Sequence, residues 1–158
     1  MSQRTQELKS ALVESRKHLN RVLDNVGDRW DEQVYTEGAG WTVRQLAIHL
    51  MISDKGQTTT AMAIARGEDP IPADFDLERY NRRSVEKRAD AGISDVRAGL
   101  ATSFAEREAW LDTLDDAALD NHGRHGTGRI LTVAQIMQVM ADHEREHAND
   151  IAKVLNIQ

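Results

Sequence analysis

Between Ala141 and Ile151 the chain reads ADHEREHANDI, and its segment His143-Glu144-Arg145-Glu146-His147 fits two zinc-peptidase signatures at once, H-E-x-x-H and the reversed H-x-x-E-H. Two imidazoles four residues apart on a helix project from one face, so His143 and His147 can share a metal ion. The intervening Glu144 offers a carboxylate near that ion, either as general base or as a group that orients a ligand. The chain contains no cysteine, so any ion must be held by His, Asp or Glu. Peptidase chemistry fails on the remaining requirements. Only eleven residues follow His147, and the metzincin spacing would need glycine and histidine where Asp150 and Lys153 stand. The reversed signature needs a distant downstream ligand that this chain does not have, and no alternating strand pattern offers a substrate an edge to pair with. With the pair taken alone, HEREH reads as a solvated charged turn on a helix flank. A third ligand is what distinguishes a metal site from that reading.

The elements that must position these residues have helical periodicity throughout. Leu8, Ala11, Leu12, Leu19, Val22, Leu23 and Val26 recur at three- and four-residue steps and define a first helix. A second spans roughly Thr42 to Arg66, with Leu46, Ala47, Leu50, Ala61, Ile64 and Ala65 on one side. A third carries Ile93, Val96, Leu100, Phe104, Leu111 and Leu114, and a fourth Val133, Ile136, Met137, Met140, Ile151, Val154 and Leu155. Strand patterns are absent, so the expected fold is all-α, a single four-helix bundle over residues 1–158. Gly67 to Gly92 separates the second and third helices by far more than an antiparallel neighbour needs, which predicts a crossover along the bundle and an up-down-down-up order. Asp76 to Arg88 within it is expected to form a short helix capped by Asp76.

Height along this bundle selects the third ligand. His49 falls ~9 Å below the top of the second helix, and His147 and His143 fall ~12 and ~18 Å below the top of the fourth. A simple up-down-up-down order would separate His49 from the pair by ~10 Å, so the long crossover and a His49–His143–His147 site support each other. His122 and His125, in NHGRHG, belong to the loop at the other end and are read as solvated.

The stretches GWTVRQLAIHLMISD, DLERYNRRSVEKR and LTVAQIMQVMADHEREHANDI resemble the DinB-like superfamily, bacterial four-helix bundles that include thiol-dependent S-transferases and the mycothiol-dependent isomerase domain. The resemblance covers nearly the whole chain. It implies a metal held by one histidine on the second helix, here His49, and H-x-x-x-H on the fourth, here His143 and His147. It further implies transfer of a low-molecular-weight thiol to a small electrophile.

Three imidazoles leave a coordination position open, as catalytic sites do, and imidazole suits Zn²⁺, Ni²⁺ and Fe²⁺ alike. With no cysteine in the chain, a thiol nucleophile would be a small molecule such as mycothiol, bacillithiol or glutathione. Hydrolysis of a small molecule is the competing chemistry, and a metal-stabilised bundle acting as a stress-response or partner-binding dimer is the non-enzymatic alternative. Glu144 projects inward and is the expected catalytic carboxylate, as base or orienting group. Asp54 and Arg107 interrupt apolar stripes at comparable heights and read as a buried ion pair, with anion binding by Arg107 as the sharper alternative. Trp30, Tyr35 and Trp41 are expected to wall the top of the pocket.

Net charge -6 argues against a nucleic-acid surface, and no apolar run spans a membrane. The start, MSQRTQELKS, lacks an apolar leader segment, so the expected compartment is the cytoplasm. Ile48, Met51 and Ile52 lie off the main stripe of the second helix, which points to a homodimer through that side, with the crossover and another helix as the alternative cover.

Overall fold

A computed structural model describes residues 1–158 as α1 (Gln3–Asp24), α2 (Val43–Ala65), α3 (Leu77–Lys87), α4 (Ile93–Thr113) and α5 (Val133–Leu155). A 3-10 turn at Asp116–Asp120 and a hairpin, β1 (His122–Arg124) and β2 (Ile130–Thr132), join α4 to α5. The helices begin where side chains can satisfy free backbone N–H groups. Ser2, Thr42, Asp76 and Thr132 are the N-caps of α1, α2, α3 and α5, and Thr42–Gln45 and Thr132–Gln135 form reciprocal capping boxes.

Cross-helix contacts fix the directions. Ser15 Oγ donates to the Ala141 carbonyl and His18 meets Asn149, so α1 and α5 run parallel. Met51 packs where Gly99 stands, and Arg107 reaches Asp54 and Thr58, so α2 and α4 run parallel as well. Lys9 pairs with Asp112 while Arg16 Nη1 reaches the Leu100 carbonyl, which sets α1 antiparallel to α4. The order is up-down-down-up, with α3 inside the crossover, as the sequence predicts. The contact is close at Gly99, where a Cβ would lie 2.7 Å from Met51 Sδ and make that flexible side chain shift.

One expectation changes. The hairpin is real β-structure, three residues a side, too short to announce itself as a period-two pattern. Of the apolar surplus of α2, Ile48 is fully buried within one chain, while Met51 beside Gly99 and Ile52 beside Tyr80 and Asn81 of α3 are half-buried. No helix is long and apolar enough to cross a membrane.

The core has two apolar parts. One gathers around Leu19, Leu46, Ile48 and Ile151, and the other around Ile64, Leu111, Ile136 and Met137. Between them lies a buried charged layer drawn from all four bundle helices. Arg16 of α1 holds the Glu144 carboxylate of α5, with Nη2 to Oε1 at 2.9 Å and Nε to both oxygens at 3.2 Å. Arg16 Nη2 also lies 3.3 Å from Asp54 Oδ1 of α2, and Arg107 Nη1 of α4 lies 2.7 Å from the same oxygen. Phe104 is flanked by both guanidinium groups, at 5.0 and 5.1 Å from its ring centroid. Two cations and two carboxylates leave the layer neutral, which is the condition for burying it. The expected Asp54–Arg107 pair is present, and Arg16 is its unforeseen partner.

Removing one member of such a layer strands the others. Arg16→Met is expected to lower the unfolding free energy by about 3–5 kcal/mol in a urea titration, through the uncompensated Glu144. Arg4→Met, which breaks an exposed pair with Asp116 and Asp120, should leave the midpoint close to wild type. Equal midpoints for the two variants would contradict the structural role given to the layer.

Candidate metal centre

The antiparallel α2 and α5 place His49 opposite His143 and His147, and the three rings turn their Nε2 atoms inward. His147 Nε2 lies 2.9 Å from His143 Nε2, which lies 3.2 Å from His49 Nε2. The three possible ligand atoms fall within 4.8 Å of one another. Nitrogens bound at ~2.1 Å around a tetrahedral ion stand roughly 3.4 Å apart, so the rings need little movement to hold one.

The loop from α1 to α2 braces this cluster. Gly38 and Gly40 adopt φ of +62°, which favours glycine, and the turn they make returns the chain so that Val34 N–H donates to the Trp41 carbonyl. Tyr35 is thereby placed with its hydroxyl 2.7 Å from His147 Nδ1 and 2.5 Å from Asp150 Oδ2. Burial, then Asp150, raises the Tyr35 pKa well above its usual value, so the phenol keeps its proton and donates it to the carboxylate. The His147 Nδ1–H must then donate to the phenol oxygen, which leaves the Nε2 lone pair free for an ion. His147 thus has the carboxylate-anchored outer support typical of metal-ligating histidines, relayed through a phenol. The Trp41 ring lies over His49 at 4.7 Å, and Trp30 packs against the neighbouring core.

Burial makes the site a poor place for protons. His49 is lowered to about 3 by burial and then by His143 and His147, and His143 to about 4 by burial and then by His147 and His125. Burial also lowers His147, against the opposing pull of Asp150 and Glu146. At neutral pH all three rings present lone pairs with no proton competing for them. With the His147 proton committed to Tyr35, only one of the two Nε2–Nε2 contacts can be bridged by a well-aligned proton. A cation satisfies all three nitrogens together.

A cavity of about 270 Å³ opens on His49 and His143. The crossover roofs it with Ile71, Phe75, Leu77 and Tyr80, while Ser53, Gln57 and Thr60 of α2 form its floor. His125 completes the wall, which corrects its reading as a solvated loop residue: it is only 5% exposed, and its ring is held by Gln57 and Thr127. The hairpin carries it there, pinned to the end of α2 by Asn121 Nδ2 donating to the Ala65 carbonyl and by the Arg124 N–H donating to Asp69. His122 is exposed, as expected. Glu144 and Arg107 lie in the charged layer and neither lines the cavity. Asp150 escaped the sequence reading because it is an ordinary polar residue until the fold supplies Tyr35 as its neighbour.

A four-helix bundle with a long second crossover and three convergent imidazoles is a metal-binding bundle. Residues 6–151 match the family model of the DinB superfamily, and the chain belongs to that superfamily. The fold is similar to that of YfiT from Bacillus subtilis, described as "a probable metal-dependent hydrolase with an unusual four-helix bundle topology", with a TM-score of 0.77 at 21% identity over 100% of this chain and 91% of that one. No curated protein matches the chain.

The phenol relay sets a test. Tyr35→Phe and Asp150→Asn should each weaken divalent-metal affinity by about 10- to 100-fold in a competition titration against a chelating dye. His122→Ala should leave it unchanged. Wild-type affinity in both relay variants would show that His147 is oriented without them.

Proposed function

We propose that the chain is a metal-dependent hydrolase of a small, uncharged molecule. The observation that carries this reading is the cavity beside the histidines: none of its 16 lining residues is Asp, Glu, Lys or Arg, and one side of it is apolar. A divalent ion on His49, His143 and His147 would keep a coordination position open and, when bound, supply Lewis acidity and a lowered water pKa. Zn²⁺, Ni²⁺ and Fe²⁺ all suit three imidazoles. The chain's own contribution is to fix the His147 tautomer through Tyr35, to roof the cavity with the crossover, and to seat the substrate against His49 and His143. The description of YfiT as a probable metal-dependent hydrolase agrees with this reading.

Thiol transfer, the activity implied by the resemblance, ranks second. The cavity has no Lys or Arg to pair with the carboxylates of glutathione and bacillithiol, and mycothiol is bulky for a volume near the small end of ligand pockets. A partner-binding dimer through Met51 and Ile52 of α2, both half-buried, is the non-enzymatic alternative. For Glu144, the proposed role is structural, because its carboxylate is engaged by Arg16.

Reconstitution with each metal, followed by assay against small neutral esters and amides and against thiol addition to a neutral electrophile, separates the readings. Hydrolysis that a chelator abolishes is the expected result, and thiol transfer without hydrolysis would contradict it. Glu144→Gln should lower stability and leave the rate of the folded, metal-loaded protein undiminished. A loss of ~10²-fold at full stability would restore Glu144 as a general base.

A further inference from the structure

The cavity floor carries a chain of hydrogen bonds whose direction can be deduced from one end. The Thr127 backbone N–H can only donate, and it does so to His125 Nδ1 at 3.3 Å, with the Thr127 hydroxyl also 2.9 Å from that nitrogen. Nδ1 is therefore unprotonated. Burial and the nearby Arg129 lower the His125 pKa, so the ring is neutral and its single proton sits on Nε2. Nε2 lies 2.8 Å from Gln57 Oε1, which accepts that proton. The amide is thus oriented with its nitrogen towards Ser53, and Gln57 Nε2 donates to Ser53 Oγ at 2.9 Å. Ser53 Oγ is an acceptor in this chain, and its own proton has to go elsewhere.

The helix does not take it. Thr58, Thr59 and Thr60 each return their hydroxyl proton to a carbonyl four residues back, whereas Ser53 makes no such bond. Ser53 lines the cavity, as do Gln57 and His125, and it lies one helical turn from His49. We propose that Ser53 is a substrate-binding donor, aimed into the cavity beside the metal-ligand face by a relay from the hairpin through His125 and Gln57, and that it takes the carbonyl oxygen of a small uncharged ester or amide. The proposal rests on the hydrolase reading of the same site and adds its recognition chemistry. A donor suits a carbonyl acceptor, and apart from the metal-ligand face the lining holds no charged side chain to pair with a carboxylate or phosphate. His125 and Gln57 are positioning residues, since they act through Ser53.

Two variants and one spectroscopic signature test this. Isobutyramide, a small neutral amide, is titrated into zinc-loaded and metal-free protein and followed by protein NMR shifts, alongside circular dichroism and metal content. Ser53→Ala removes the donor. Gln57→Glu keeps the shape and reverses the relay, because the carboxylate it introduces accepts from both His125 and Ser53 and turns the serine proton away from the cavity. Each variant should weaken isobutyramide binding about five- to tenfold, the worth of one hydrogen bond between neutral groups, with fold and metal stoichiometry retained. Nitrogen shifts of His125 should report the Nε2–H tautomer. Wild-type affinity in either variant, an Nδ1–H tautomer, or no binding of isobutyramide to the wild type would overturn the proposal. Should the amide bind with the expected losses while no ester is hydrolysed under any metal, the hydrolase reading fails and the donor assignment stands.

Discussion

The antiparallel contact between α2 and α5 is the constraint on which the rest depends. His49 meets His143 and His147 only because the start of α2 faces the end of α5, and that direction is set by the chain between α2 and α4. A short turn after α2 would have reversed α4 and changed the order of the bundle. The long crossover instead returns to the starting end, lays α4 parallel to α2, and leaves α3 over the cavity as part of its roof. One topological feature thus brings the ligands together and encloses the space beside them.

Rigidity comes from a different set of residues. The Arg16–Glu144–Asp54–Arg107 layer joins the four bundle helices between the two apolar parts of the core. Glu144 stands directly between the metal-site histidines in sequence yet points to α1, so α5 uses one flank for the ion and the adjacent flank for the layer. Neighbouring positions on a helix diverge by about 100°, which keeps the two sets of charges apart. The layer is costly to form and more costly to break, and that cost holds the helix register on which the convergence of Nε2 atoms depends.

Periodicity made the helices legible, because apolar residues at three- and four-residue steps repeat over many turns in each. Loop length made the order legible, and heights along α2 and α5 then paired His49 with His143 and His147. What escaped has a common cause: its meaning depends on contacts between segments distant in sequence. Arg16 lies in line with Leu12 and Leu19, the same interruption that marked Arg107, and was open to the same inference. Asp150 and Tyr35 acquire a role only through each other, 115 residues apart. His125 sits among glycines that suggest a flexible loop, and only the pairing of β1 with β2 turns it back towards Gln57.

The central claim is that three histidines from two antiparallel helices hold one divalent ion. Metal content of purified wild-type and His49→Ala protein, measured by elemental analysis after equal loading with Zn²⁺ or Co²⁺ and desalting, addresses it most directly. Near one ion per wild-type chain is predicted, with a sharp loss in His49→Ala while the helical circular dichroism is retained. Full metal retention in His49→Ala would contradict the account, because α2 would then contribute no ligand and the convergence of the three rings would have no chemical purpose.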